Sequence, residues 1–250
     1  MILGFNQLMR MLSLTFMFLC LNLPKTQAIE VKVGVEDFAP YYISKGNTGI
    51  IPDLISAAFR YIPDYQPKYI YGHKNHRLLA EYRKGNLDAL PNLNDSMSFD
   101  GCRSDAIFTY RNVAVTLATS DITLNKISDL AEKKIVTFQG AKAVFGPEFV
   151  QTIQSSTYTE LTNFNMMPLM IYKGWADISI SDLLLFVHNL QYIKEKQIET
   201  SHFQYFEIFP PTNIYMGFRD NTVCILFNNA LKLIRQNGEY DKIYQRYSKE

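Results

Sequence analysis

From Glu30 the chain alternates polar and apolar positions, Glu30-Val31-Lys32-Val33-Gly34-Val35, the period-two pattern of a half-buried strand. The strand runs into an aromatic loop, Phe38-Ala39-Pro40-Tyr41-Tyr42, and Gly46-Asn47 marks a turn. Pro52 suits a first helical position, so Asp53 to Phe59 reads as a helix. Tyr69-Ile70-Tyr71 is a short strand. Leu78, Leu79 and Tyr82 then recur at helical spacing up to Lys84-Gly85, a helix stop, and Leu87-Asp88-Ala89-Leu90 begins another strand. This β-α-β-α-β alternation belongs to a mainly parallel sheet covered by helices on both faces.

The pattern then restarts. Val113 to Ala118 reads as a strand, Ile127 to Leu130 as a short helix, and Lys134 to Phe138 as a strand meeting Gly140. Ala143 to Ile153 and Met166 to Tyr172 are helix-like, Asp177 to Ser181 is a strand, and Leu183 to Phe186 opens a helix. Ile214 to Phe218 is one more strand after Pro210-Pro211. Two helices close the chain, Cys224 to Arg235 and Asp241 to Tyr247, broken at Asn237-Gly238. No low-complexity linker separates the two α/β units. Two lobes joined by strands imply a hinge with a cleft between them.

Residues 1–28 differ from the rest. Arg10 precedes the apolar run Met11 to Leu21, and Thr26-Gln27-Ala28 places small residues at −3 and −1 of a cleavage site, as in a secretory signal. The run is too short for a bilayer, which needs about 20 apolar residues, and Phe18-Leu19 before Cys20 is bulkier than a lipobox tolerates. Cleavage leaves residues 29–250, periplasmic and soluble. Of the 25 basic residues, Arg10 and Lys25 fall in the leader, leaving 23 against 24 acidic ones. A chain so nearly neutral has no field to attract nucleic acid or anionic lipid. Hydrophobic residues at 47% and charged ones at 20% exclude a disordered or coiled-coil chain.

Catalytic signatures are absent. There is no GxSxG elbow, Walker loop or GxGxxG cradle. His73 and His76 could share a helix face, but no HExxH or acid cluster accompanies them. No cofactor and no metal are expected. Outside the cytoplasm Cys102 and Cys224 could pair, although nothing in the sequence sets their distance. Binding, rather than enzymatic turnover, is the better reading.

Short motifs follow one another along nearly the whole mature chain. They are Val33-Gly34-Val35 with Phe38-Ala39-Pro40-Tyr41, Gly49-Ile50-Ile51-Pro52-Asp53-Leu54, and Gly85-Asn86-Leu87-Asp88-Ala89. Next come Ile127-Ser128-Asp129-Leu130 with Lys134 to Gly140, and Lys173-Gly174-Trp175-Ala176-Asp177 with Asp182. The last runs from Asn229-Ala230-Leu231 to Gly238-Glu239-Tyr240-Asp241-Lys242-Ile243-Tyr244. In order and spacing they resemble the family 3 extracellular solute-binding proteins, periplasmic receptors for polar amino acids and related compounds. The resemblance implies an α/β, two-lobed type II periplasmic binding protein fold, each lobe a mainly parallel sheet flanked by helices, joined by two hinge strands. Lobe 1 would hold residues 29–114 and 213–250, and lobe 2 residues 115–212.

The resemblance also implies a ligand set. An amino acid presents a carboxylate, matched by a guanidinium fork, and an ammonium, matched by a carboxylate. Arg103, five residues before Phe108-Thr109, takes the place of the family's arginine, with its spacing shifted by one and Asp100-Gly101-Cys102 replacing the usual introduction. Arg111 is the other candidate, and a solvated loop arginine is the plain alternative for Arg103. Asp182 falls on the ammonium-binding aspartate and also reads as an N-cap before Leu183-Leu184-Leu185. Phe38 matches the stacking aromatic, with Tyr41 and Tyr42 beside it. Asn92, Asn94, Ser96 and Ser98 replace a run of small hydroxyls. Lys142, in Gly140-Ala141-Lys142, stands where the family has a hydroxyl in its carboxylate cradle. It points to a ligand with more negative charge, unless it is a helix-start lysine facing water. Asp53, Asp88 and Asp177 read as structural.

The implied function is a monomeric periplasmic receptor that closes on an amino acid or small carboxylate and delivers it to a separate inner-membrane ABC permease or a sensor protein. The alternatives are a receptor without a transport role, and a cyclohexadienyl-dehydratase-like enzyme using Glu36, Asp37 or Glu148 as its acid. The exported protein is expected to begin at Ile29, checked by the intact mass of the secreted form; a mass that retains the leader overturns the cleavage site.

Overall fold

A computed structural model describes residues 27–72, 75–193 and 198–248. His73 and all but the last two residues of the expected leader lie outside the described residues. In chain order the strands are β1 (Ile29–Gly34), β2 (Tyr65–Ile70), β3 (Ala89–Leu93), β4 (Cys102–Tyr110) and β5 (Asn112–Leu117). They continue as β6 (Lys134–Phe138), β7 (Thr157–Leu161), β8 (Ile178–Asp182), β9 (Phe203–Phe206) and β10 (Thr212–Phe218). The α-helices are α1 (Ile50–Phe59), α2 (Asn75–Arg83), α3 (Ala141–Thr152), α4 (Met167–Tyr172), α5 (Leu183–Asn189), α6 (Asn221–Gln236) and α7 (Glu239–Ser248).

Among the described residues the strands form two five-stranded sheets, β2-β1-β3-β10-β4 and β7-β6-β8-β5-β9. Both sheets are mixed. β1 runs parallel to β2 and β3, and β6 to β7 and β8, whereas β10 is antiparallel to β3 and β4, and β5 to β8 and β9. The reversal follows from the crossings. β1, β3, β6 and β8 end toward the cleft, while β5 and β10 start there and run outward. Three strands have no counterpart in the sequence pattern: β4, β7 and β9. All three are edge strands, paired on one side only. β7, Thr-Tyr-Thr-Glu-Leu, has no buried residue, so its side chains carry little of the alternation that burial on one face imposes.

The two lobes repeat one device. Gly85 and Gly174 follow α2 and α4 with φ of 84° and 66°, the left-handed conformation that ends a helix. Three residues later, Asp88 and Asp177 each receive a backbone N–H of the first strand of their lobe. Lys32 N–H donates to Asp88 Oδ2 (2.8 Å) and Lys134 N–H to Asp177 Oδ2 (2.7 Å). The Asp88 and Asp177 amides return bonds to the Lys32 and Lys134 carbonyls at 2.9 and 2.8 Å. Each aspartate therefore fixes where β3 or β8 begins against its neighbour.

The core of lobe 1 lies between its sheet, α1 and α6. Ile50, Leu54, Ile55 and Phe59 of α1 are buried with Phe227, Leu231 and Ile234 of α6. The helix starts at Ile50, so Pro52 occupies its third position, still within the turn whose N–H groups have no helical partner. Gly49 before it is required: its φ is 111°, and a Cβ would lie 2.6 Å from the Tyr41 carbonyl oxygen. Asp53 accepts bonds from Arg246 Nη1 (2.9 Å) and Tyr247 Oη (2.7 Å), which pins α7 to α1. Lobe 2 packs both faces of its sheet, with Phe149 and Ile180 buried on one and Val136, Phe186 and Phe203 on the other. Helix α3 is interrupted at Gly146 (φ 77°, ψ −169°), one residue before Pro147.

The chain passes between sheets twice, at Arg111 and across residues 207–211. The crossings are tied together by the Arg111–Glu207 ion pair and by Asn112 Nδ2 donating to Thr212 Oγ1 at 3.0 Å. Cys102 at the start of β4 is disulfide-bonded to Cys224 of α6, a sequence separation of 122 residues. The bond joins the outgoing and returning halves of lobe 1, and every strand of lobe 2 lies inside the loop it closes. A loop of that length restricts the unfolded chain by an amount worth about 5 kcal/mol. Replacing both cysteines with alanine is expected to lower the unfolding free energy by about 2–5 kcal/mol in urea titrations; an unchanged midpoint refutes a stabilising disulfide.

Candidate functional site

In open α/β sheets the carboxyl ends of parallel strands face a crevice, and here two sets of such ends face each other. A cavity of about 550 Å³ lies between the lobes. From lobe 1 it is lined by Glu36 and Phe38 beyond the end of β1, and by Asn92, Asn94 and Met97 at the end of β3 and the loop after it. From lobe 2 come Phe138, Gln139 and Gly140 after β6, Thr162 and Phe164 after β7, and Asp182 at the end of β8. The crossing strands contribute Tyr110, Asn112 and Thr212.

Of the residues expected from the sequence, Phe38, Tyr41, Asn92, Asn94 and Asp182 line this cavity; Ser98, Arg103 and Lys142 do not. Ser98 is exposed on its loop. Arg103 donates through Nη1 to the Asn94 carbonyl (2.9 Å) and through Nη2 to the Met97 carbonyl (2.7 Å), and lies over the Tyr215 ring. The guanidinium fork thus holds the loop that carries Asn94 and Met97, and Arg103 is not among the residues that line the cavity. Lys142 is exposed, with its ammonium 4.9 Å from the centre of the Tyr158 ring. Arg111, the other candidate, has its guanidinium committed to Glu207.

Asp182 is buried and fully engaged. Oδ1 accepts from the Tyr41 hydroxyl and from the Leu185 N–H (3.0 Å), and Oδ2 accepts from the Arg111 N–H (2.9 Å). One carboxylate therefore caps α5, receives the backbone at the crossing, and binds a side chain of the opposite lobe. Burial pushes its pKa up, and the hydrogen bonds from Tyr41 and the backbone oppose that shift. Burial, reinforced by the nearby Asp182 charge, holds the Tyr41 and Tyr110 hydroxyls well above the ordinary phenol range, so both are neutral donors. The lobes meet again where the Phe38 and Phe164 rings pack edge to face, centroids 5.6 Å apart, and where Leu185 joins the lobe 1 core.

Tyr110, Asn112, Gln139, Thr162, Phe164 and Thr212 were not foreseen as lining residues, and Glu36 was foreseen only as the acid of a dehydratase. Glu36, Gln139 and Thr162 each lie one or two residues past a parallel strand, so strand ends were the available signal. Phe164 and Tyr110 required β7 and β4, the edge strands whose pattern is weak. Among the described residues no group of three or more His, Cys, Asp and Glu side chains is placed to hold a metal ion.

No protein-family model matches the chain, and no curated protein sequence matches it. Solved structures do. The ligand-binding core of GluR0 in complex with L-glutamate superposes with a TM-score of 0.70 at 14% identity, covering 88% of this chain and 98% of that one. ArgBP from T. maritima, in a mutant form, gives 0.67 at 18% identity, covering 88% and 96%. The substrate-binding protein of an amino acid ABC transporter gives 0.65 at 18% identity, covering 88% and 100%. The chain has the two-lobed type II periplasmic binding protein fold.

The Tyr41–Asp182 bond joins a neutral donor to a buried carboxylate, an interaction worth about 1.5–3 kcal/mol when the acceptor is charged. Tyr41→Phe is expected to lower the unfolding free energy by about that amount at neutral pH. The loss should shrink as pH falls through the raised pKa of Asp182, where the acceptor becomes neutral. Urea titrations of both proteins at neutral and acidic pH check this; a loss independent of pH refutes a charged acceptor.

Proposed function

We propose that this protein is a solute-binding receptor that encloses a small polar organic molecule between its two lobes. The observation that carries the reading is the cavity itself, built from the strand ends of both sheets and bridged by the Tyr41–Asp182 hydrogen bond and the Phe38–Phe164 ring contact between the lobes. The fold neighbours, which include proteins named for amino acids and amino acid transport, support it. In place of the expected bounds 29–114 with 213–250 and 115–212, lobe 1 is taken as residues 29–110 and 212–248 and lobe 2 as residues 112–206, because β5 pairs in the second sheet and β10 in the first, with the crossings at Arg111 and 207–211 as the hinge. Contacts made only on closure couple ligand binding to the closed state.

The protein is exported by its leader and works in the periplasm, where it hands its ligand to a separate ABC permease or to a sensor. No helix among the described residues is long and apolar enough to cross a membrane. Of the three acids a dehydratase reading would draw on, Glu36 lines the cavity, whereas Asp37 is held by Ser44, whose N–H and hydroxyl donate to it at 3.0 and 2.6 Å. Glu148 is exposed on α3.

A ligand-stripped sample screened by thermal and urea unfolding against amino acids, amines, small carboxylates and sugars tests the proposal. A ligand at a hundredfold excess over its Kd is expected to add about 2.7 kcal/mol to the unfolding free energy. The absence of any stabilising solute in all four classes overturns it.

A further inference from the structure

Aromatic rings reach the cavity from both lobes and from the crossing between them. Phe38 follows β1 in lobe 1, Tyr110 ends β4 at the crossing, and Phe138 and Phe164 lie at the ends of β6 and β7 in lobe 2. Each of these rings lines the cavity and each is half-buried. Those already in contact are set edge to face: Phe38 and Phe164 at 81° across the cleft, and Tyr110 at 87° to the buried Tyr41 ring, centroids 4.8 Å apart. Aromatic groups prefer this arrangement because the positive edge of one ring meets the negative face of the next. Ring surface left partly uncovered in a cleft is surface that a ligand can remove from water.

The groups that the resemblance assigned to the charged ends of an amino acid are bonded within the protein. Arg103 is held by the Asn94 and Met97 carbonyls, Arg111 by Glu207, and Asp182 by Tyr41 and two backbone N–H groups. At the start of α3, Glu160 Oε2 accepts the Gly140 N–H at 3.0 Å, and its Oε1 accepts the Tyr158 hydroxyl at 2.7 Å. Lys142, which pointed to a ligand with more negative charge, lies over the Tyr158 ring. The Tyr110 hydroxyl differs from all of these: it is fully buried and has no hydrogen-bond partner among the described residues. The carboxyls of Asp182 and Glu36, both lining residues, act on it electrostatically, which sets it among the groups of the cavity wall. A buried hydroxyl without a partner is costly. It can both donate and accept, so a polar group on a ligand relieves that cost.

Resting on the receptor reading above, we propose that the cavity takes an aromatic organic molecule. Its ring packs among Phe38, Tyr110, Phe138 and Phe164, and its polar group bonds the Tyr110 hydroxyl. Ring contacts, rather than the pair of charged anchors that the resemblance implied, then supply the selectivity.

Solute pairs that keep the polar group and saturate the ring make the test: phenylalanine with cyclohexylalanine, benzylamine with cyclohexylmethylamine, benzoate with cyclohexanecarboxylate, phenyl glucoside with cyclohexyl glucoside. By titration calorimetry on ligand-stripped protein, at least one aromatic member is expected to bind about fivefold or more tightly than its saturated partner. A smaller preference in every pair, or binding confined to solutes without an aromatic ring, overturns the inference and leaves the receptor reading standing. No binding by any solute of the four classes overturns both. Tyr110→Phe keeps the ring and removes a hydroxyl that has no partner among the described residues, so its unfolding midpoint is expected to be unchanged or higher. Its affinity for the tightest-binding aromatic solute of the set is expected to fall about fivefold or more; an unchanged affinity overturns the assignment of Tyr110.

Discussion

The structure turns on one buried carboxylate. Asp182 ends β8, caps α5, accepts the backbone N–H of Arg111 where the chain leaves lobe 1, and accepts the hydroxyl of Tyr41 from across the cleft. Removing it from water is costly unless each oxygen is satisfied, and each oxygen is satisfied by a group that belongs to a different part of the fold. The end of a strand, the start of a helix, the crossing and the aromatic loop after β1 are thereby held in one geometry. Phe38, Glu36 and Tyr110 owe their places beside the cavity to that arrangement.

A second constraint sets the direction of everything else. Each lobe starts its strands with an aspartate-to-strand clamp, Asp88 on Lys32 and Asp177 on Lys134. With those starts fixed, the parallel strands end on the cleft side. Two mixed sheets facing each other across two short crossings then leave a space between them, lined largely by residues at the strand ends and in the loops after them. Side chains on those loops, not the sheet cores, decide what the space can hold. The disulfide from Cys102 to Cys224 joins the chain on either side of lobe 2, so the second lobe is an insertion between two covalently linked segments of the first.

The departures of this site from the implied ligand set share a cause. Arg103 is engaged by the loop after β3, where the Asn94 and Met97 carbonyls offer it two acceptors. Its role becomes positioning, since it holds in place a loop whose Asn94 and Met97 line the cavity. At the start of α3 the same substitution of protein for ligand occurs, with Glu160 bonding the N–H of Gly140.

By itself the sequence determined the two-unit α/β alternation, the helices of the apolar stripes, the Gly-x-x-Asp strand starts and five cavity residues, Phe38, Tyr41, Asn92, Asn94 and Asp182. Those features are written in periodicity and in local turn chemistry, which act over a few residues. Tertiary structure decided the edge strands β4, β7 and β9, the pairing of Cys102 with Cys224, and the engagement of Arg103, Arg111 and Lys142 outside the cavity. A flexible cation binds whichever acceptors the fold brings within reach, and those acceptors, Glu207 for Arg111 and the Tyr158 ring for Lys142, lie far away in sequence.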